Sequence, residues 1–260
     1  MENTAQELPY KKIDNLGIII QARLGSKRFP NKVIKKIKGL TVIEILLQRL
    51  TKKFDKKNIV IVTTKSNIDS KLASIAKQNN IACFRGKTFD VLSRYYLAAK
   101  KYKFKHIVRI TADCPLIETS ILQKIINIYF EKKYDHVYLA PTFAEGLDCE
   151  IFNYKSLEKA HKMSQKKSEK EHVTLFFRNK RFIKKYAYKN IVDDSKYRIT
   201  LDYPEDFQLI KKIIFALHKK YGFLMNFKQI KKYLNSTPEV FALNSKIVRN
   251  DGLILSLAKD

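Results

Sequence analysis

The sequence predicts an α/β fold, a mostly parallel β-sheet covered by helices on both faces. Three observations carry this expectation. The segment Gly17-Ile18-Ile19-Ile20-Gln21-Ala22 is an apolar run rich in β-branched residues, as expected of a strand buried on both faces. Behind it, strand-like and helix-like segments alternate as far as Leu139, the pattern of βαβ units. The 260 residues suffice for one such domain, which hides roughly 70–75% of its unfolded surface.

Taken in order, the first strand is followed by a polar loop to about Leu40. Thr41 with Glu44 three residues on reads as a capping box. Ile43, Leu46, Leu47 and Leu50 then fall on one buried helix face. Strands are expected at 58–63, 81–84, 106–110 and 135–139, with helices at 68–78, 89–101 and 120–130. Past Ala140 the alternation loosens. Strands are expected at 149–152, 182–188 and 197–201, and helices near 155–163 and 169–177. Pro204 opens another helix at its first position, with Glu205 and Asp206 in the first turn. Phe207, Ile210, Ile214 and Leu217 supply its buried face. From Met225 the chain reads as helical and then irregular, with no role assigned. Residues 1–15 read as a polar tail, and 16–260 as one domain with a C-terminal helical segment from about 225.

The formal charge is +27, which invites an anionic partner such as nucleic acid, membrane or nucleotide. The lysines are dispersed in pairs, however, from Lys35-Lys36 to Lys231-Lys232. A nucleic-acid protein concentrates its charge on one face, so the sequence argues for solvated helix surfaces instead. No apolar run approaches the ~20 residues that cross a bilayer, and the N-terminus lacks the features of a secretory signal. A cytoplasmic protein without a membrane or nucleic-acid partner is expected. Cys83, Cys114 and Cys149 are widely spaced, with no C-x-x-C pair, and read as reduced thiols.

Ligands of parallel sheets bind at the carboxyl ends of the strands. Directly after the first strand, Arg23, Lys27, Arg28 and Lys32 stand within ten residues, with Gly25 and Ser26 between them. Glycine lets the backbone approach an anion closely, and the cations can pair with several phosphate oxygens. The plain alternative is a solvated basic loop. Asp113 follows a central strand, where a carboxylate can hold Mg²⁺ beside phosphates, or can simply cap a turn before Pro115. Asp202 likewise follows an expected strand, where a carboxylate also suits the dipole of the next helix. Two carboxylates and a basic loop together are what metal-assisted phosphoryl transfer needs.

The segment Ile18–Lys32, I-I-I-Q-A-R-L-G-S-K-R-F-P-N-K, resembles the opening motif of the cytidylyltransferases. That family includes CMP-KDO synthetases, acylneuraminate cytidylyltransferases and the spore-coat polysaccharide biosynthesis protein F subgroup. Arg109–Ile117 resembles the second motif. The blocks Gly146–Phe152, Lys170–Thr174 and Leu201–Asp206 follow in the family order. Arg85-Gly86 with Asp90-Val91-Leu92-Ser93-Arg94-Tyr95 is similar to the spore-coat subgroup. The resemblance implies a Rossmann-like, GT-A-like nucleotidyltransferase fold, Mg²⁺ dependence, and transfer of CMP from CTP to a sugar acid or sugar phosphate for surface polysaccharide or glycan synthesis. It implies catalytic roles for Arg23, Lys32 and Asp113, and metal ligation by Asp113 and Asp202. Nucleotide binding would fall to Ala22, Arg23, Gly25, Ser26, Lys27, Arg28, Lys32, Arg85 and Arg109. Glu145, Asp148, Glu171 and His172 would face the acceptor sugar, although His172 also reads as an ordinary helix residue. Many members carry Gly where this chain has Asn31. Homodimers are common in the family, but no stretch of this sequence marks an interface. Two other readings stay open: a non-enzymatic nucleic-acid binder, and a metal-dependent glycosyltransferase on a related fold. The latter commonly shows an Asp-x-Asp pair where this chain has Asp113-Cys114-Pro115.

Overall fold

Successive residues of a strand point to opposite faces, and the first strand uses this to found two cores. In β1 (Leu16–Gln21), Leu16, Ile18 and Ile20 enter one cluster and Ile19 the other. The computed structural model describes residues 13–258 and 260. Most of the polar tail expected at 1–15 lies outside the described residues.

The other strands are β2 (Lys36–Ile37), β3 (Leu40–Thr41), β4 (Ile59–Thr64), β5 (Ala82–Gly86), β6 (His106–Thr111), β7 (His136–Leu139), β8 (Glu150–Asn153) and β9 (Lys185–Tyr188). Seven of them form one sheet in the order β5-β4-β1-β6-β8-β7-β9. β1 pairs in parallel with β4 and β6, β4 with β5, and β7 with β9. Only β8 runs antiparallel to its neighbours. The chain leaves β1 toward β4 and returns on its other side at β6, so the crevice between those strand ends is a topological switch point.

The helices are α1 (Val42–Thr51), α2 (Ser70–Gln78), α3 (Val91–Lys101), α4 (Thr119–Glu131), α5 (Tyr154–Met163), α6 (Lys167–Glu171), α7 (Leu175–Asn179), α8 (Pro204–Tyr221), α9 (Phe227–Ser236), α10 (Pro238–Phe241) and α11 (Asp251–Leu257). α1, α2, α4, α8 and α9 pack with Ile18 and Ile20 on one face. α3, α5 and α7 pack with Ile19 on the other. The expected capping box opens α1: the Thr41 backbone N–H donates to Glu44 at 2.8 Å, and the Glu44 N–H donates to the Thr41 hydroxyl. All three cysteines are free thiols. Among the described residues, no helix is long and apolar enough to cross a membrane.

Three expectations need correction. The helix expected over 169–177 is two helices, α6 and α7. Val173 turns into the core and the Thr174 hydroxyl donates to buried Glu150 at 2.9 Å, so tertiary contacts break the helical path. The strand expected over 197–201 is absent. Tyr197, Ile199 and Leu201 are buried, but the segment lies beside loops, bonded to Glu145 and Asp113, with one bridge between Glu145 and Arg198. Alternating burial there reports core contact rather than a strand ladder. The loop expected before Leu40 contains the β2–β3 hairpin, whose two-residue turn places Lys38 at φ 48° and Gly39 at φ 87°, as turns with two positive φ angles require.

Candidate active site

The basic loop after β1 is pinned before it reaches solvent. Leu24 is buried, and its N–H donates to Asp69 Oδ1 at 2.8 Å. The N–H groups of Ser26 and Asn31 both close on the Leu24 carbonyl, at 2.9 and 3.0 Å. Asn31 adopts φ 59° and ψ 17°, a left-handed conformation that asparagine tolerates and most residues do not. That turn directs Lys32 inward, where the side chain is almost wholly buried.

There the Lys32 ammonium meets two carboxylates, Asp113 Oδ2 and Asp202 Oδ1, each at 2.7 Å. Burial opposes the lysine charge, but the two carboxylates outweigh it and raise its pKa above the ordinary lysine value. Asp113 is held below the usual carboxylate range: burial opposes its charge, and Lys32 outweighs that. Arg28 donates to the same Asp202 oxygen at 2.8 Å and lies over the Tyr203 ring, 5.3 Å from its centre. Asp202 is itself positioned by Asp206, whose Oδ2 accepts from the N–H groups of Asp202 and Tyr203 at 2.8 and 3.0 Å. Arg23 pairs more loosely with Glu171, at 3.6 Å.

These groups surround a cavity of about 410 Å³. Ten residues expected at the site line it: Ala22, Arg23, Ser26, Lys27, Arg28, Lys32, Asp113, Glu171, His172 and Asp202. Lys32 and Asp202, 170 positions apart in sequence, meet because the loops after β1 and before α8 reach the same cavity. The other five expected residues lie off the cavity wall. Gly25 faces Ile68. The Arg85 guanidinium donates to the carbonyls of Thr64 and Ser66 at 2.9 and 2.8 Å. Arg109 donates to buried Glu150 at 2.6 Å. Glu145 accepts from Arg198 at 2.6 Å, and Asp148 accepts the Gly146 N–H at 2.9 Å. Arg85, Arg109 and Glu145 thus tie one segment to another, whereas Asp148 bonds within its own turn.

Sequence reading missed several wall residues. Gln21, Phe89 and Arg94 line the cavity, as do Gly252, Leu255 and Ser256 of α11. A signal for Arg94 existed in the Asp90–Tyr95 block that resembles the spore-coat subgroup, and in the structure its Cγ lies where a Cβ on Gly86 would stand 2.7 Å away. α11 left no signal, because only its fold onto the site gives it a role. The Tyr203 hydroxyl donates to Asp251 at 2.6 Å and the Ser256 hydroxyl to Glu171 at 3.1 Å, which holds that helix against the cavity.

A cation-lined cavity thus lies at the switch point of the sheet, with two carboxylates converging beside it, and the sheet with its covering helices is the fold of the nucleotidyltransferases. The chain belongs to the cytidylyltransferase family, which its sequence matches over residues 17–249. It is 33% identical over 233 residues to an uncharacterized protein of Methanocaldococcus jannaschii, covering 88% of this chain and 94% of the relative. It is 29% identical over 220 residues to the spore coat polysaccharide biosynthesis protein SpsF of Bacillus subtilis, covering 81% and 89%. A solved cytidylyltransferase from Leptospira borgpetersenii serovar Hardjo-bovis superposes with a TM-score of 0.82 at 34% identity, covering 87% of this chain and 96% of that one. α11 lies beyond the residues that match the family.

Proposed function

We propose that the protein transfers CMP from CTP to a sugar, releasing pyrophosphate, in surface polysaccharide or glycan synthesis. The carrying observation is the Lys32 ammonium clasped between Asp113 and Asp202 in a cation-lined cavity. The family supports CTP as the nucleotide, and the similarity to SpsF supports a polysaccharide pathway. In this reading an acceptor oxygen attacks the α-phosphorus. The new P–O bond forms as the bond to the bridging oxygen breaks, and pyrophosphate leaves. Arg23, Lys27, Arg28 and Lys32 offset the charge that builds on the departing phosphates. An acceptor that is already a phosphate needs no base, whereas a hydroxyl acceptor must lose a proton.

Two carboxylates that converge on one cation fit Mg²⁺, which takes one or two protein carboxylates and completes its shell with phosphate oxygens and water. Asp113 and Asp202 would hold it, and when bound it would neutralise charge on the triphosphate. This reading places the protein in the cytoplasm, where nucleoside triphosphates are made.

The test is pyrophosphate release with CTP, UTP, GTP and ATP, Mg²⁺ and a panel of sugar acids and sugar phosphates. Release with CTP is expected. Asp113→Ala should abolish it, and Lys32→Ala should lower kcat about 10²–10³-fold, the size of losing one donor to developing charge. No release with any pairing, or full activity in Asp113→Ala, counts against the reading.

A further inference from the structure

We infer that Asp69 is a positioning residue of the reaction: it sets where the four cations of the basic loop meet the triphosphate, while standing off the cavity wall itself. This deepens the proposed reaction and rests on it. Asp69 closes the turn Asn67–Asp69 between β4 and α2. It is 2% exposed and is not among the residues that line the cavity. Its Oδ1 accepts the Leu24 N–H at 2.8 Å, and its Oδ2 accepts the Thr64 hydroxyl. Neither of these donors is a cation, and a carboxylate buried on neutral donors is costly. Both of its oxygens are engaged where the basic loop meets the end of β4.

Leu24 is the foothold of that loop. The Ala22 N–H donates to the Val62 carbonyl at 3.0 Å, which continues the pairing of β1 with β4. Two residues on, Asp69 takes the Leu24 N–H in place of a neighbouring strand. The Leu24 carbonyl accepts from Ser26 and Asn31, so the loop closes on the residue that Asp69 holds. Arg23 precedes that residue, Lys27 and Arg28 lie within the closed loop, and Lys32 follows its last bond. All four cations line the cavity. A displacement of Leu24 is therefore passed to all of them together.

The other side of Asp69 is braced in its turn. The Thr64 hydroxyl that donates to Asp69 also accepts the Ser66 N–H at 3.1 Å. The Asp69 N–H donates to the Ser66 carbonyl at 3.0 Å. Arg85 reaches from β5 to hold the carbonyls of Thr64 and Ser66. The contacts thus run from β5 through the 64–69 turn to Asp69, and from Asp69 to Leu24. A bond from a backbone N–H to a carboxylate is about twice as strong as one between neutral groups, which suits a single contact that fixes a loop. Accuracy at that contact matters, because a displacement of about 1 Å far from the chemistry can cost about 10²-fold.

Calorimetric titration of CTP and inorganic triphosphate, each with Mg²⁺, tests this on wild type, Asp69→Ala, Asp69→Asn and Thr64→Val. Asp69→Ala should weaken both ligands alike, by about 10- to 100-fold, because the loop that holds the phosphates is misplaced. Asp69→Asn should recover most of that loss, since its amide oxygen accepts the Leu24 N–H and its amide nitrogen donates to Thr64. Thr64→Val releases one oxygen of Asp69 and should give a smaller loss in the same direction. Added to Asp69→Ala it should cost nothing further, because the two residues act through one contact. Thr64→Val decides the matter if Asp69→Ala does not fold. Unchanged affinities in Asp69→Ala, or in Thr64→Val should Asp69→Ala not fold, with only a lower thermal midpoint, would make Asp69 a structural tie and overturn the inference. So would a loss confined to CTP, or an Asp69→Asn variant as impaired as Asp69→Ala. A wild type that binds neither CTP nor inorganic triphosphate overturns the proposed reaction as well.

Discussion

At Asn31 a single backbone angle decides where the Lys32 ammonium goes. Its φ of 59° is open to Gly and to Asn, so the departure from the family glycine keeps the turn. Asn31→Gly should therefore leave activity near wild type. Asn31→Val should cost about 1–2 kcal/mol from the left-handed conformation alone, and should lower CTP binding by shifting Lys32 off the two carboxylates. Thermal melts and titration with CTP check both. Gly146 is constrained more severely. Its φ is 105°, and a Cβ there would stand 2.5 Å from the backbone of Ile199 and Thr200. That close approach is what bonds Glu145 to the 197–201 segment, and through it places Asp202.

Elements bring the site together with unequal firmness. The break between α6 and α7 carries Glu171 and His172 to the cavity, and the Thr174–Glu150 hydrogen bond anchors it. Glu150 also takes bonds from Arg109 and His136, so β6, β7, β8 and α7 share one buried carboxylate. α11 is held differently. Ser256 is its only buried residue, and polar contacts to Tyr203, Arg28 and Glu171 fasten it. Elements with little buried apolar surface open most readily. Amide hydrogen exchange should be faster in α11 than in α4, whose Leu122, Ile125 and Ile126 are buried. CTP with Mg²⁺ should slow exchange in α11, because the ligand fills the cavity that it walls. Unchanged exchange there on binding would remove α11 from the site.

For the whole molecule, the buried Glu150 cluster predicts how stability changes with pH. Burial holds His136 below the ordinary histidine value of 6.5, even though Glu150 accepts from it. Burial also lowers His106 and His172. The unfolded chain binds these protons more readily than the folded one, so stability is complete above pH 6.5 and falls as pH drops below it. Glu150 works at lower pH. Burial opposes its charge, but Arg178, His136 and Arg109 hold it well below the ordinary value of 4.5. Its contribution is present above about pH 4.5 and is lost as pH falls through its depressed folded value. The melting temperature should therefore decline from pH 7 to 5.5 and decline again below about 4.5. His136→Gln should make the first decline shallower and leave the second in place. An identical slope in that variant would remove His136 from the account.

The sequence by itself determined the sheet, most of its helices and the basic loop after β1. These are written in local signals: apolar runs for β1 and β4, the Thr41–Glu44 capping box, and Pro204 at the head of α8. Asp113 and Asp202 were legible as carboxylates beyond apolar segments. That both converge on one ammonium was not, since no local pattern fixes the distance between residues so far apart in the chain. Only the tertiary structure broke the 169–177 helix, refused 197–201 a place in the sheet and brought α11 to the cavity wall. It also turned Arg85, Arg109 and Glu145 to ties between segments and left Arg94 buried with its Nε and Nη1 donors unpaired among the described residues. The division has one physical reason. Periodicity, caps and turns act over a few residues, whereas the partner of a buried charge is chosen by whichever strand end or helix the whole chain brings beside it.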